Sequence, residues 1–521
     1  MTMQFFDEPI DLTPQPGAGS PVWTGVAASG EDLQSFAIAA HRHGGRLATL
    51  WGADRRHLGG GFRLHAVFGI EAGHVYLRLD LPADDPVYPD LAGIFPAANR
   101  LQRATRDLVG IRFSGGDQRP WLRHGAWPAD WFPLRHDAGE GRGFDNPPSD
   151  YDFVQVGGEG AHEIPVGPIH AGIIEPGHFR FSVIGERVLR LEQRLGYQHK
   201  GVEKLMAGRT LDEGLRIAGR VSGDSTCAYA WAYSAAAEAA CGVVPPARAL
   251  SLRALMLERE RVANHLGDLG ALGNDAALAF GLVQFLRLKE DWLRLNGRLF
   301  GHRFMMDRIV PGGVAQDLHA AALREIVDQC DVIGREVKEL RGIYDEHAGL
   351  QDRFLTTGII DADLARELSL TGMAARATGI ILDGRAWRQG YTPPSPYAGL
   401  GVRPATDERG DVAARVAVRF DEIFESLRLL REVAVGMPSG ETRVEMAPAA
   451  GGSGLGVVEA WRGEVLVGIE LDDGGRIARA HPHDPSWQAW PALEFAVLKD
   501  IVPDFPLINK SFNLSYSGQD L

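Results

Sequence analysis

Apolar residues along this chain follow two rhythms. Over the first quarter they alternate with polar residues in short runs such as HVYLRLDLP, from His74 to Pro82, the period of a half-buried strand. One stretch there, PAANRLQRATRDLVGI from Pro96 to Ile111, has helical spacing instead, so a small α+β unit is expected up to Asp137. Gly, Pro and Asp then displace the periodic apolar residues from Ala138 onward, which predicts a linker. Beyond it, HFRFSVIGERVLRLEQRL alternates on both sides of Gly185-Glu186 and reads as a strand pair.

The rhythm then lengthens to that of amphipathic helices. Pro246 stands near the first turn of a helix whose Leu252, Leu255, Val262 and Leu266 share a face. Similar spacing runs from Ala277 to Arg308, Ala315 to Asp345 and Asp411 to Val435, predicting a helical bundle. Thr226 to Val244 is low in charge but Ala-rich and contains Glu238, so a buried helix is expected rather than a membrane span. Strand character returns around Asp472-Asp473-Gly474-Gly475, where a β-hairpin is expected, and AAGGSGLG from Ala449 to Gly456 reads as a flexible loop.

Composition narrows the function. With 521 residues and 45% hydrophobic positions the chain can bury a large core, and at least two folding units are expected. The 68 acidic against 54 Lys and Arg residues give a net charge of −14, which opposes nucleic acid as a partner. Three dispersed cysteines, Cys227, Cys241 and Cys330, fit a reducing compartment, and the acidic, Pro/Gly-interrupted N-terminus lacks the pattern of a secretory signal. A cytoplasmic location is expected. Dinucleotide and P-loop signatures, the GxSxG elbow, HExxH and EF-hand loops are absent from the sequence, so the chemistry is sought elsewhere.

The segment from Gly167 to Met206 concentrates His170, His178, His199, Glu175 and Glu203. Here GP-H-EPGHFR and YQHKGVEKL are followed by GRVSGDSTCAYAWAYS, VPGGVAQDL and EAWRG. In this order they resemble the large subunit of group 4 membrane-bound [NiFe] hydrogenases and the homologous D subunit of bacterial complex I. Arg100 to Gly116, with FPLRHD from Phe132 to Asp137, resembles the end of the complex I C subunit, which some relatives fuse ahead of the large subunit. The resemblance implies an α+β chain: an N-terminal extension (1–30), a C-subunit-like α+β domain (31–137), a linker (138–166) and a mainly α-helical large-subunit-like domain with peripheral β-hairpins (167–521).

Hydrogenases of that family hold nickel and iron between two CxxC pairs, and both pairs are missing here. Ser222 and Ser225 stand at one pair of positions, Ser511 and Leu514 at the other. The metal centre needs soft, deprotonated thiolates, whereas a serine hydroxyl is hard and stays protonated, so hydrogenase activity is rejected and no metal is assigned to this chain. Complex I binds a quinone headgroup in the same cavity, which makes quinone the replacement that the resemblance implies. The family's quinone tyrosine aligns with Gly223, however, leaving His178 or Tyr229 as substitute donors.

The resemblance ranks Glu203 first, as a proton relay, with His178 and Arg462 as further catalytic candidates, and His199, Asp224, Ser222 and Ser511 as the cavity's binding residues. The plain alternatives are a surface pair for His199 and Glu203, one helical turn apart, an Arg462–Glu459 pair, and a buried ion pair of Asp224 with Arg220 or Arg462. With three scattered cysteines the chain holds no cofactor of its own, so a [4Fe-4S] cluster is expected in a partner small subunit, with membrane antiporter-like subunits in the same assembly. The expected setting is the inner face of the cell membrane. Two roles stay open: an oxidoreductase subunit working next to that cluster, or a cofactorless scaffold or coupling subunit.

Overall fold

The computed structural model describes residues 5–6, 8, 10–16, 21–125, 127–139, 151–170, 174–386, 395–447 and 449–521. Its N-terminal part is a five-stranded sheet built from β1 (Thr13–Pro14), β2 (Val22–Ala27), β3 (Arg46–Asp54), β4 (Phe62–Ile70) and β5 (Gly73–Leu81), in the order β1-β2-β5-β4-β3. Helix α1 (Gly30–Arg42) starts at a capping box: the Ser29 hydroxyl accepts from Asp32 N at 3.1 Å and the Asp32 carboxylate from Ser29 N at 3.0 Å. It buries Leu33, Phe36, Ala37 and Ala40. The helix expected near Pro96–Ile111 is α2 (Ala98–Val109), stopped by Gly110 in the left-handed region, with φ +82°. It lies between β6 (Val87–Pro89) and β7 (Arg112–Ser114), which pair in parallel.

Strand β8 (Ala161–Val166) falls inside the stretch read as linker, because its apolar Ile164 and Val166 pack against the core; residues 140–150 of that stretch lie outside the described residues. It pairs with β9 (His178–Ile184), which pairs in turn with β10 (Arg187–Arg194) through the Gly185-Glu186 turn, where Gly185 has φ +59°. Two short helices, α3 (Val202–Met206) and α4 (Leu211–Ala218), lead into α5 (Thr226–Cys241), which buries nearly every residue. The long helices α6 (Ala247–Asp275), α7 (Ala279–Phe300), α8 (Ala320–Glu346) and α12 (Val412–Val435) form the bundle: α6 packs on α7 and α12, and α12 on α8. Between these come a small strand pair, β11 (Ile309–Val310) and β12 (Gly313–Val314), and the helices α9 (Ala348–Phe354), α10 (Ala362–Glu367) and α11 (Gly372–Arg376). Among the described residues no helix is long and apolar enough to cross a membrane.

The expected C-terminal hairpin is part of a three-stranded antiparallel sheet, β13 (Ser453–Glu459), β14 (Glu464–Leu471) and β15 (Ile477–His483). The glycines read as a flexible loop therefore belong partly to β13. The physical reason is close approach: a Cβ on Gly454 would strike the carbonyl of Ala236, and one on Gly456 the carbonyl of Ala232, so only bare backbone lets β13 lie against α5. The opposite face of this sheet meets the N-terminal sheet, where Trp51 rests on Gly468 and Ala48, Val67 and Tyr76 pack with Leu455, Val457 and Leu466. The chain ends in α13 (Ser486–Ala496), α14 (Phe505–Phe512) and α15 (Tyr516–Asp520), with Leu521 buried.

Candidate functional site

Three chain turns converge near the N-terminus of α5. The first is Val221–Ser225, which bends through a single 3-10 turn into the helix; the second is Ala460–Gly463, joining β13 to β14; the third is the end of α14, where Asn513 takes a left-handed φ of +47°. They bring together Ser222, Asp224 and Arg462, three of the residues singled out from sequence. The Asp224 carboxylate accepts from Arg462 Nη1 at 3.0 Å, Arg462 Nη2 at 2.5 Å and Ser222 Oγ at 2.6 Å. Arg462 also donates from Nε to Asn513 O at 2.5 Å, and its guanidinium stacks 3.9 Å from the Trp461 ring centroid. Trp461 Nε1 in turn donates to Ser225 Oγ at 3.0 Å and Asp224 O at 3.1 Å. Of the two partners considered for Asp224, Arg462 takes the role; Arg220 binds Asp307 at 2.8 Å.

Burial would raise the Asp224 pKa, but Arg462 and Ser222 outweigh it and hold the carboxyl at about 2. Its side chain keeps 36% of its surface accessible, so the pair is partly screened. Behind it Glu260 caps α5, accepting from Cys227 N at 2.7 Å and Ala228 N at 3.1 Å. Burial, reinforced by Asp224, pushes Glu260 up to about 8 against the pull of those two N–H groups. Burial also pushes the Cys227 thiol up, and its Sγ lies 3.7 Å from Phe304 O, so it is an inert core group. Asp268 binds Arg419 Nε at 3.0 Å and Asn513 Nδ2 at 2.7 Å, tying α14 to the bundle.

The remaining candidates have other partners. Ser511 Oγ accepts from Arg415 Nε at 2.8 Å and donates to Ile508 O at 2.6 Å, while Arg415 stacks on Phe512 at 4.2 Å. Glu203 and His199 do not form a surface pair: His199 Nδ1 meets Asp520 O at 2.7 Å, whereas Glu203 turns inward to Arg479 Nη2 and His481 Nδ1, each at 2.7 Å. Burial would raise Glu203, but Arg479 and His481 prevail and hold it at about 2, an ionised anchor rather than a group that carries a proton at neutral pH. His178 begins β9 in a different sheet, with Nδ1 3.3 Å from Gly167 O and a pKa lowered by burial. Tyr229 donates to Asp484 Oδ2 at 2.7 Å, which commits its hydroxyl.

Sequence reading missed Glu260, Asp268, Asn513 and the Arg479–His481 clamp. One signal was present: Arg261, His265 and Asp268 recur at helical spacing on a helix otherwise rich in Leu, so charged residues share its inward stripe.

Two sequence families match the chain: "Respiratory-chain NADH dehydrogenase, 30 Kd subunit" over residues 26–142, and "Respiratory-chain NADH dehydrogenase, 49 Kd subunit" over residues 275–451. Formate hydrogenlyase subunit 5 of Escherichia coli (strain K12) is 31% identical over 493 residues, covering 92% of this chain and 85% of that protein. Hydrogenase-4 component G of the same organism is 31% identical over 494 residues, with 92% and 84% covered. The fused C/D subunit of the NADH-quinone oxidoreductase of Bacteroides thetaiotaomicron is 26% identical over 413 residues, with 74% and 76% covered. Among solved structures, a chain of the membrane-bound sulfane sulfur reductase (MBS), an archaeal respiratory membrane complex, superposes with a TM-score of 0.65 at 25% identity, covering 70% of this chain and 99% of that one. The chain therefore belongs to the family of fused 30 kDa and 49 kDa subunits shared by complex I and group 4 hydrogenases.

A nickel–iron centre does not fit the residues present. At the positions that would supply four thiolates stand Ser222 and Ser225, which bond Asp224 and Trp461, Ser511, which bonds Arg415, and the buried apolar Leu514. The Asp224–Arg462 pair lies against Ser222 and Ser225, offering a soft divalent metal neither thiolates nor an uncommitted anion.

Proposed function

We propose that this chain is a peripheral-arm subunit of a membrane-bound, complex I-like redox assembly, in which it acts as a scaffold or coupling element rather than as a hydrogenase. The observation that carries this reading is the Asp224–Arg462–Trp461 cluster, whose polar groups satisfy one another where a cofactor would otherwise sit. Tyr229 and His178, the substitute quinone donors, are engaged elsewhere, which weighs against a quinone headgroup at this cluster. In this reading the [4Fe-4S] cluster belongs to a small iron–sulfur protein of the assembly, which docks beside the edge of Asp224, the face of the polar cluster left open to solvent. Antiporter-like membrane subunits complete the assembly on the inner face of the membrane.

The test is to purify the tagged chain from native membranes and analyse its companions and metals. Iron–sulfur and membrane subunits are expected to copurify, with no nickel above background. Replacing Ser222, Ser225, Ser511 and Leu514 together by cysteine should still recruit no nickel, because Asp224 and Arg462 keep the space and its charge. A solitary active chain, or one nickel per chain in the wild type, would overturn the reading.

A further inference from the structure

Behind the cluster, α6, α11, α12 and the end of β13 enclose a second polar group that the proposed function leaves unused. Three arginines, Arg261, Arg376 and Arg385, interleave there with four carboxylates, Glu258, Asp383, Glu422 and Glu459, all buried. Arg376 Nη1 donates to Glu459 at 2.8 Å and its other nitrogens hold Glu422; Arg385 bridges Asp383 at 2.7 Å and Glu258 at 3.0 Å. His265 Nε2 donates to the Glu422 carboxylate at 2.7 Å. The adjoining carboxylates have cations of their own: Asp268 holds Arg419, Asp224 holds Arg462, and Glu464 holds Arg46.

This leaves one carboxylate more than the guanidiniums can neutralise. An isolated buried negative charge is strongly unfavourable, so the group takes up a proton instead. Glu258 receives Tyr397 Oη at 2.8 Å, Ser426 Oγ at 2.6 Å and Arg385; Glu422 and Asp383 each hold a close guanidinium. Glu459 has the weakest set, one Arg376 nitrogen and the Gly384 N–H at 3.3 Å, while facing Asp383 and, across the β13–β14 ladder, Glu464. It also borders a pocket lined by Trp231, Arg385, Ser395 and Tyr397, which gives protons a way in.

We propose that Glu459 is a buried proton-binding site that loads one proton from solvent through this pocket and reports it to Arg462. The link is covalent and short: Glu459 ends β13, and the turn that follows carries Ala460, Trp461 and Arg462. Arg261 grips that turn, donating to Ala460 O at 3.0 Å and Glu459 O at 2.7 Å. A proton on Glu459 converts its carboxylate to a carboxylic acid and weakens its pairing with Arg376, which then rests on Glu422, the more distant Asp383 at 3.9 Å and the Leu382 carbonyl at 2.9 Å. Burial, with Asp383 and Glu464, raises Glu459 to about 7 against Arg376 and Arg261, whereas burial lowers His265 and keeps it neutral. The site thus changes charge near neutral pH. This inference does not depend on the identity of the partner subunits.

Infrared difference spectroscopy of the full chain between pH 5 and pH 9 tests it. A protonated-carboxyl C=O band should grow as pH falls through neutrality, vanish in Glu459→Gln and return with a shifted midpoint in Glu459→Asp. The pH dependence of the emission lost on Trp461→Phe should vanish in Glu459→Gln as well, since glutamine mimics the neutral acid. A band unchanged in Glu459→Gln, or no carboxyl titrating in this range, overturns the proposal. If Glu459→Gln does not fold, the wild-type and Glu459→Asp titrations decide it: one shared midpoint overturns the proposal, and two different midpoints support it.

Discussion

Replacing Glu203 by glutamine separates two roles that the same residue could play. In the folded chain its carboxylate binds Arg479 and His481, and His481 also reaches Thr49 Oγ1 at 3.1 Å across the seam between the two sheets. Trp51 completes the seam, stacked 4.7 Å from His65 and 4.8 Å from His481. The Glu203 pKa falls from 4.5 to about 2, and at 1.36 kcal/mol per unit this depression corresponds to about 3 kcal/mol of stability. Because the folded value lies below the unfolded one, the contribution is complete above the unfolded pKa of 4.5 and is lost as pH falls toward 2. Glu203→Gln should therefore weaken the seam by about 3 kcal/mol at pH 7, and the gap to wild type should narrow by about 2 kcal/mol at pH 3. Hydrogen exchange of peptides covering β15 and β3 reads this directly: their opening should accelerate by roughly a hundredfold at pH 7. Unchanged exchange combined with lost turnover of the assembly would refute the anchor and restore a proton-relay role for Glu203.

Gly456→Ala should lower stability by about 1–3 kcal/mol, because the added methyl meets the carbonyl of Ala232 and the N–H of Ala236; a thermal midpoint equal to wild type would contradict the close strand–helix contact. Asp224→Asn, at a side chain 36% exposed, should cost only about 1 kcal/mol at neutral pH and progressively less as pH falls toward 2, checked by urea unfolding across that range. Deleting Asp520 and Leu521 removes the acceptors of Gly196 N, Gln198 N, Lys200 N and His199, so amide exchange over Gly196–Val202 should quicken while that over α8 stays as in wild type.

How much of this architecture the sequence disclosed depends on the range of the interactions involved. Helix periodicity, the Gly185-Glu186 turn and the hairpin at Asp472–Gly475 are local, and the expected elements appear at those places. Gly454 and Gly456 misled because a glycine read alone signals freedom, whereas here it serves an intimate contact with a helix more than two hundred positions earlier. The same limit governs the site. The pairing of Asp224 with Arg462 was foreseeable as one of two options, since a carboxylate beside an apolar helix start requires a cation, but choosing between Arg220 and Arg462 needed the fold. Glu203 is ranked by motif, and a motif records position without charge state; Arg479, hundreds of residues away, keeps it an anion at neutral pH. Glu459 illustrates the converse. Its place in EAWRG marks it only as a partner for Arg462, and its proton follows from counting three guanidiniums against four carboxylates in one buried cluster. Charge balance in a buried network is a property of the assembled fold, so the residue that must carry the surplus proton becomes visible only when the partners of every other carboxylate are known.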